Sequence, residues 1–181
     1  MAADGLGTVL VTGGASGLGA AVAAAVEAEG GTPVVLDRQP PPNGFAFRPV
    51  DLAQPRAAEA AVRAVVEEHG GLDAVVTVAS TLGLRALPAA TAYCASKFGI
   101  VGFTRALASE LGDRVGVTML VPGGMRTHFF DDRPEQFKPA PDQRLNDPAD
   151  VARAVLFALR QPAGCELREL VVAPATEPSW P

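Results

Sequence analysis

The chain has 181 residues, about half of them apolar, enough for one domain with a buried core. A formal net charge of -5, with no basic cluster to override it, argues against nucleic acid as a partner. Its two cysteines, Cys94 and Cys165, lack metal-ligand spacing, so neither a metal site nor a disulfide framework is expected.

Residues 1–7 carry no positive n-region and no apolar h-region, and no apolar run approaches the ~20 residues that span a bilayer. The expectation is a cytoplasmic protein, without membrane partners, in a reducing compartment. In chain order, Thr8 to Val11 is a short apolar run of strand type. A glycine-rich turn follows, then Ala20 to Glu29, alanine-rich and helical. Pro33 to Leu36 is a second apolar run, ending at Asp37, and the alternation from Phe45 to Val50 predicts a third strand. Ala58, Ala61, Val62, Val65 and Val66 recur at helical spacing, so Pro55 to His69 is an amphipathic helix with proline at its tolerant first position. Ala74 to Ala79 is a continuous apolar strand. Thr91 to Leu111 is a long helix, and Val115 to Val121 is a strand stopped by Pro122-Gly123-Gly124. A proline-rich loop from Arg133 to Pro148 is long enough to be a lid. Pro148 to Leu159 then reads as a helix capped by Asp147, and Leu170 to Ala173 as the last strand. Short β-branched strands alternating with helices predict an α/β fold, its parallel sheet covered on both faces. With no repeat and no linker, residues 1–181 read as a single domain.

The first turn, Thr12-Gly13-Gly14-Ala15-Ser16-Gly17-Leu18-Gly19, joins a strand to a helix. Gly13 permits a tight turn, Gly17 lets a pyrophosphate approach the backbone, and Gly19 allows close helix packing. The helix start offers free N–H groups and a positive dipole end to phosphates. Asp37, at the end of the second strand, suits the ribose hydroxyls of NAD and would repel the 2′-phosphate of NADP. Arg38 beside it partly relaxes that exclusion, so NAD is expected ahead of NADP.

The TGxxxGxG spacing, together with Tyr93-Cys94-Ala95-Ser96-Lys97, resembles the short-chain dehydrogenase/reductase family over nearly the whole chain. The resemblance implies a Rossmann-like doubly wound parallel sheet and an NAD(P)-dependent oxidoreductase acting on a secondary alcohol or ketone. It places Gly13, Ser16, Gly17, Leu18 and Gly19 at the cofactor turn and Asp51-Leu52 at the adenine ring. Pro122, Gly123 and Thr127, in a PGxxxT segment, fall on the nicotinamide side. Ser80, at the family's spacing before Tyr93, matches the serine that holds the substrate oxygen.

Tyr93 and Lys97 stand at i and i+4, on one helix face. A free phenol is a poor base at neutral pH, and a neighbouring ammonium favours its phenolate. Tyr93 could then exchange a proton with the substrate oxygen while the cofactor carries the hydride. By resemblance Lys97 also bonds the nicotinamide ribose. Cys94, between them in sequence, reads as a packing residue and His69 as a partner of a helix C-terminus. His128 reads either as a substrate contact or as a solvated loop histidine. Phe129 and Phe130 read either as an apolar substrate wall or as lid packing.

The chain also departs from the family's pattern. Members usually carry an N-N-A-G segment ending the fourth strand, then a helix bearing a catalytic asparagine, then a fifth strand ending in the serine. Here Leu72 to Val76 looks like the start of the fourth strand and Val76 to Ser80 like the end of the fifth. Against that pattern the resemblance implies that a helix–strand unit of roughly 30 residues or more is missing, which leaves about six strands, one fewer than usual. The fused strand is expected to close up beside the first strand, moving Ser80 and the Tyr93 helix by ~4.8 Å relative to the glycine turn. Hydride transfer tolerates about 1 Å. The alternative to an active enzyme is therefore a dinucleotide-binding module with impaired or no catalysis. A homo-oligomer stays open, because the lost helix usually helps to form the dimer interface.

Overall fold

The computed structural model describes residues 6–162 and 164–180. Residues 1–5, 163 and 181 lie outside them. The chain divides into two compact units, Met1–Ala74 and Val75–Pro181.

In the first unit, β1 (Thr8–Thr12), β2 (Thr32–Asp37) and β3 (Ala46–Pro49) form a parallel sheet in the order β1-β2-β3. The register pairs Thr12 with Leu36 and Asp37 with Pro49, so the C-terminal ends of all three strands share one edge. Alternation sorts the central strand's side chains. Val34 and Leu36 join Val50 and Val65 in a core cluster, with Leu10, Ala61 and Val62 packed against it. That cluster is the apolar face of α2 (Pro55–His69) seated on the sheet. Val35 is fully buried and lies against Gly14 of the first turn. Helix α1 (Gly17–Ala28) buries Val22, Ala23 and Val26 and packs on β1 and β2. Gly70 ends α2 at a φ of +80°, a left-handed conformation that glycine adopts freely.

In the second unit, β4 (Ala74–Val78), β5 (Gly116–Pro122) and β6 (Glu169–Val172) lie in the order β4-β5-β6, with β5 and β6 parallel. Val117, Met119, Leu120 and Val121 are almost wholly buried, making β5 the centre of this unit. Ala79, Val101, Met119 and Val121 form its core cluster, where α3 (Thr91–Leu111) lies on β5. Helix α4 (Pro148–Leu159) starts as expected, with Asp147 Oδ1 accepting the Ala149 N–H at 2.9 Å.

The α/β Rossmann-like architecture and its parallel strands are as the sequence implies, and the bounds of α2, α3 and α4 coincide with the predicted ones. Among the described residues the six strands form two three-stranded sheets, and within the second β4 is laddered to β5. The buried backbone of β5 needs partners on both sides. β6 supplies one side, and the β4 segment supplies the other, where Ala79 N–H donates to Leu120 O at 2.8 Å.

Candidate functional site

The glycine turn is built at the C-terminal edge of the first sheet. Gly13 has a φ of +68° and donates its N–H to Leu36 O at 2.9 Å, which ties the turn to β2. Gly17 has a φ of +53°, so glycine is needed there by conformation. Gly19 sits directly on the Gly13 carbonyl: an added Cβ would overlap that oxygen and lie 2.7 Å from its carbon. Ser16 has an extended backbone, and its side chain makes no capping hydrogen bond to the helix. The first-turn N–H groups of α1 are thus left without that internal acceptor, as a phosphate site requires.

Asp37 is drawn to this turn. Its Oδ2 accepts the Ala15 N–H at 3.1 Å, and its Oδ1 accepts the N–H groups of Arg38 (2.6 Å) and Gln39 (3.2 Å). Partial burial pushes the carboxyl pKa upward, but these three N–H donors and the Arg38 charge outweigh it and hold the pKa below the ordinary aspartate value. Asp37 is therefore a fixed carboxylate beside the turn. Asp51 and Leu52 follow β3 at the same edge. Val50 N–H donates to Asp37 O at 2.8 Å, Asp51 Oδ1 accepts the Ala53 N–H at 3.0 Å, and Leu52 is exposed.

In the second unit Ser80 follows β4, buried, and its Oγ accepts the Leu82 N–H at 3.2 Å, capping a 3-10 turn at Thr81–Gly83. Gly83 of that turn lies against Lys97 of α3, where an added Cβ would come within 2.8 Å of the Lys97 carbonyl oxygen. The Ser80 turn and the Lys97 turn of the helix are thus packed together. Lys97 Nζ donates to Val78 O at 3.1 Å and lies 5.6 Å from the centroid of the Tyr93 ring. Burial lowers the Lys97 pKa. The three residues read as catalytic therefore come from one neighbourhood: the end of β4 and two successive turns of α3.

Of the remaining candidates, Phe129 reaches the Tyr93 neighbourhood and the two histidines do not enter it. Cys94 is buried, a packing residue. His69 is in the last turn of α2, its Nδ1 3.4 Å from Thr8 Oγ1. His128 is solvent-facing and paired with Asp131 at 2.7 Å. Phe129 lies 5.7 Å from the Tyr93 ring and 5.0 Å from that of Phe130, with the Arg133 guanidinium 4.1 Å over its own face. Thr127 Oγ1 accepts the Phe129 N–H at 3.3 Å, so the end of the PGxxxT segment caps the turn that carries this aromatic pair. Upstream, Gly123 N–H donates to Val172 O at 3.0 Å, and Gly124 N–H donates to Glu177 Oε2 at 2.8 Å.

Residues 7–80 of the chain match the short chain dehydrogenase family, and so do residues 74–138. The chain belongs to that family. The two matched stretches overlap on residues 74–80, the span of β4 and Ser80. The 3-oxoacyl-[acyl-carrier-protein] reductase of Homo sapiens is 36% identical over 107 residues, 58% of this chain and 44% of the relative. The chain thus spans less than half the length of the curated relatives it matches. A short-chain dehydrogenase/reductase structure from Brucella melitensis, described as glucose/ribitol dehydrogenase, superposes with a TM-score of 0.79 at 21% identity, covering 94% of this chain and 96% of that one. An alcohol dehydrogenase from Thermococcus sibiricus, complexed with 5-hydroxy-NADP, gives 0.78 at 18%, covering 91% and 95%. At such identities these two likenesses speak for the fold.

Glu177 and Ser179 were not among the residues singled out from the sequence. Both are buried polar residues near the end of the chain, and both reach the loops of this site. No spacing marks them, because their partners are far away in sequence.

Proposed function

We propose that the chain is an NAD(P)-dependent oxidoreductase that moves a hydride between nicotinamide and a secondary alcohol or ketone. The observation that carries this reading is the Lys97 ammonium fixed over the face of Tyr93, in the helix that packs against the Ser80 turn. In it, Ser80 holds the substrate oxygen and Tyr93 exchanges the proton at that oxygen. Lys97 holds a positive charge over the ring that exchanges it. The nicotinamide, when bound, supplies or accepts the hydride.

The fit to a dinucleotide rests on the first unit. The Gly13–Gly19 contact leaves room for backbone only, the start of α1 lacks a side-chain cap from Ser16, and the Asp37 carboxylate is fixed beside both. Gly13, Ser16, Gly17, Leu18 and Gly19 would hold the pyrophosphate, Asp37 and Arg38 the adenosine ribose, and Asp51 and Leu52 the adenine. In the second unit Pro122, Gly123 and Thr127 would line the nicotinamide side. A fixed carboxylate at the ribose position favours NAD over NADP. The two units are, in this reading, parts of one dinucleotide-binding domain.

A second reading keeps binding and loses turnover. It is favoured by the overlap of the two family matches on β4, where the N-N-A-G segment and the catalytic asparagine would have stood. NADH and NADPH fluorescence titrations, followed by NAD reduction with a panel of secondary alcohols, separate the readings. Turnover that vanishes in Tyr93→Phe, with NADH binding kept, supports the enzyme. Binding without turnover supports the module, and no response to either coenzyme defeats both.

A further inference from the structure

Two polar residues near the chain's end are more deeply placed than anything in the proposed reaction requires. Glu177 and Ser179 are both buried. One carboxylate oxygen, Oε2, accepts the Gly124 N–H at 2.8 Å. The other, Oε1, accepts the Ser179 N–H at 3.2 Å and the Ser179 hydroxyl at 2.6 Å. Because a carboxylate only accepts, the Ser179 proton is committed to Glu177. The 2.7 Å contact between Thr81 and Ser179 is then a donation from the Thr81 hydroxyl to Ser179 Oγ. Thr81 is also buried and is the residue after Ser80. Gly123 closes the seat: an added Cβ would fall against Glu177 Oε2.

We propose that Glu177 is a positioning residue, which through Gly124 on one oxygen and the Ser179–Thr81 relay on the other fixes the loop after β5 relative to the Ser80 turn. The two segments it joins are the PGxxxT loop, read as the nicotinamide side, and the turn capped by Ser80, the residue read as the substrate-oxygen holder. One buried carboxylate joined to three residues by four hydrogen bonds gives the pair a single geometry, since releasing any member leaves a buried polar group unpaired. The catalytic part of this proposal rests on the dehydrogenase reading; the structural part does not.

The test uses the full chain, with two readouts. Amide hydrogen exchange follows Gly124, Ser179 and Leu82, the last because it donates to Ser80 Oγ. Steady-state kinetics follow kcat and the KM for the coenzyme. In Glu177→Gln the amide presents its single oxygen to only one side, so the Gly124 or the Ser179 amide should exchange faster. The kcat should fall about tenfold, as a misplaced reacting group does, with the coenzyme KM within about twofold. Thr81→Val, close in shape but without the hydroxyl, should speed exchange at Leu82 and reproduce the loss in kcat, and Thr81→Ser should restore both. This second pair keeps the proposal open to refutation if Glu177→Gln fails to fold. Wild-type exchange at all three amides in Thr81→Val and in folded Glu177→Gln overturns the strap. Faster exchange with unchanged kcat overturns its positioning role. If the wild-type chain itself shows no turnover, the dehydrogenase reading fails, and exchange alone decides whether the strap exists.

Discussion

Replacing Gly19 by alanine probes the glycine turn most directly. The new methyl would overlap the Gly13 carbonyl oxygen, 2.7 Å from its carbon and 3.0 Å from Gly14 Cα. All three obstacles are backbone, and Gly13 is tied to β2 by its 2.9 Å hydrogen bond to Leu36 O, so no side chain can swing away. The cost should reach the upper end for overpacking, about 3 kcal/mol. For a chain of this size that is a drop of roughly 6–12 °C in Tm. A turn pushed away from α1 also spoils the aim of the N–H groups meant for phosphate. Losing one charge-assisted hydrogen bond, about 1.5–3 kcal/mol, weakens NADH binding by at least about tenfold. Calorimetry and NADH fluorescence titration measure the two effects. Gly102→Ala is the control: on α3, with nothing within 4 Å of the new Cβ, it should gain about 0.8–1 kcal/mol of helix propensity. Gly19→Ala protein that melts within about 2 °C of wild type and binds NADH equally well would refute the close-packed turn.

Met119→Ala removes a fully buried side chain from the second unit's core and should cost about 2–5 kcal/mol, read by urea denaturation. Asp37 has a folded pKa below its unfolded value, so its contribution to stability is complete above the ordinary aspartate range and fades as pH falls through the folded value. Asp37→Asn should therefore flatten the acid limb of a Tm–pH curve and weaken NADH binding. Lys97 contributes with the opposite sign: with its pKa lowered by burial, the protonated side chain opposes folding, and that penalty shrinks as pH rises from the folded value and is gone above the ordinary lysine value. Wild type should gain on Lys97→Met across that alkaline window, as read by thermal melts at stepped pH.

The sequence made the strands and helices legible because their signals are local. β-branched runs, helical spacing in α2, and the Asp147-Pro148 start of α4 each carry their own reason to form. The glycine turn was legible for the same reason, since positive φ at Gly13 and close contact at Gly19 are demands on single positions. Asp37 could be placed beside the turn from strand order, but its capture by the Ala15 N–H needed coordinates. The pairing of β4 was harder, because ladder partners depend on which distant backbone still lacks donors. The Glu177–Ser179–Thr81 relay was not legible at all. Its partners are joined across 53 residues at Gly124 and 98 at Thr81, and isolated polar residues carry no period.

Chain ends are ordinarily the cheapest place to trim or to extend a protein. Glu177 makes this one different. Cutting after Pro174 would strip the acceptor from an amide in the middle of the sequence, and the damage would surface at Gly124 and Thr81 while the cut site looked innocent. A shortened version that melts normally yet misbehaves should therefore be traced to its missing tail before any blame falls on the glycine turn.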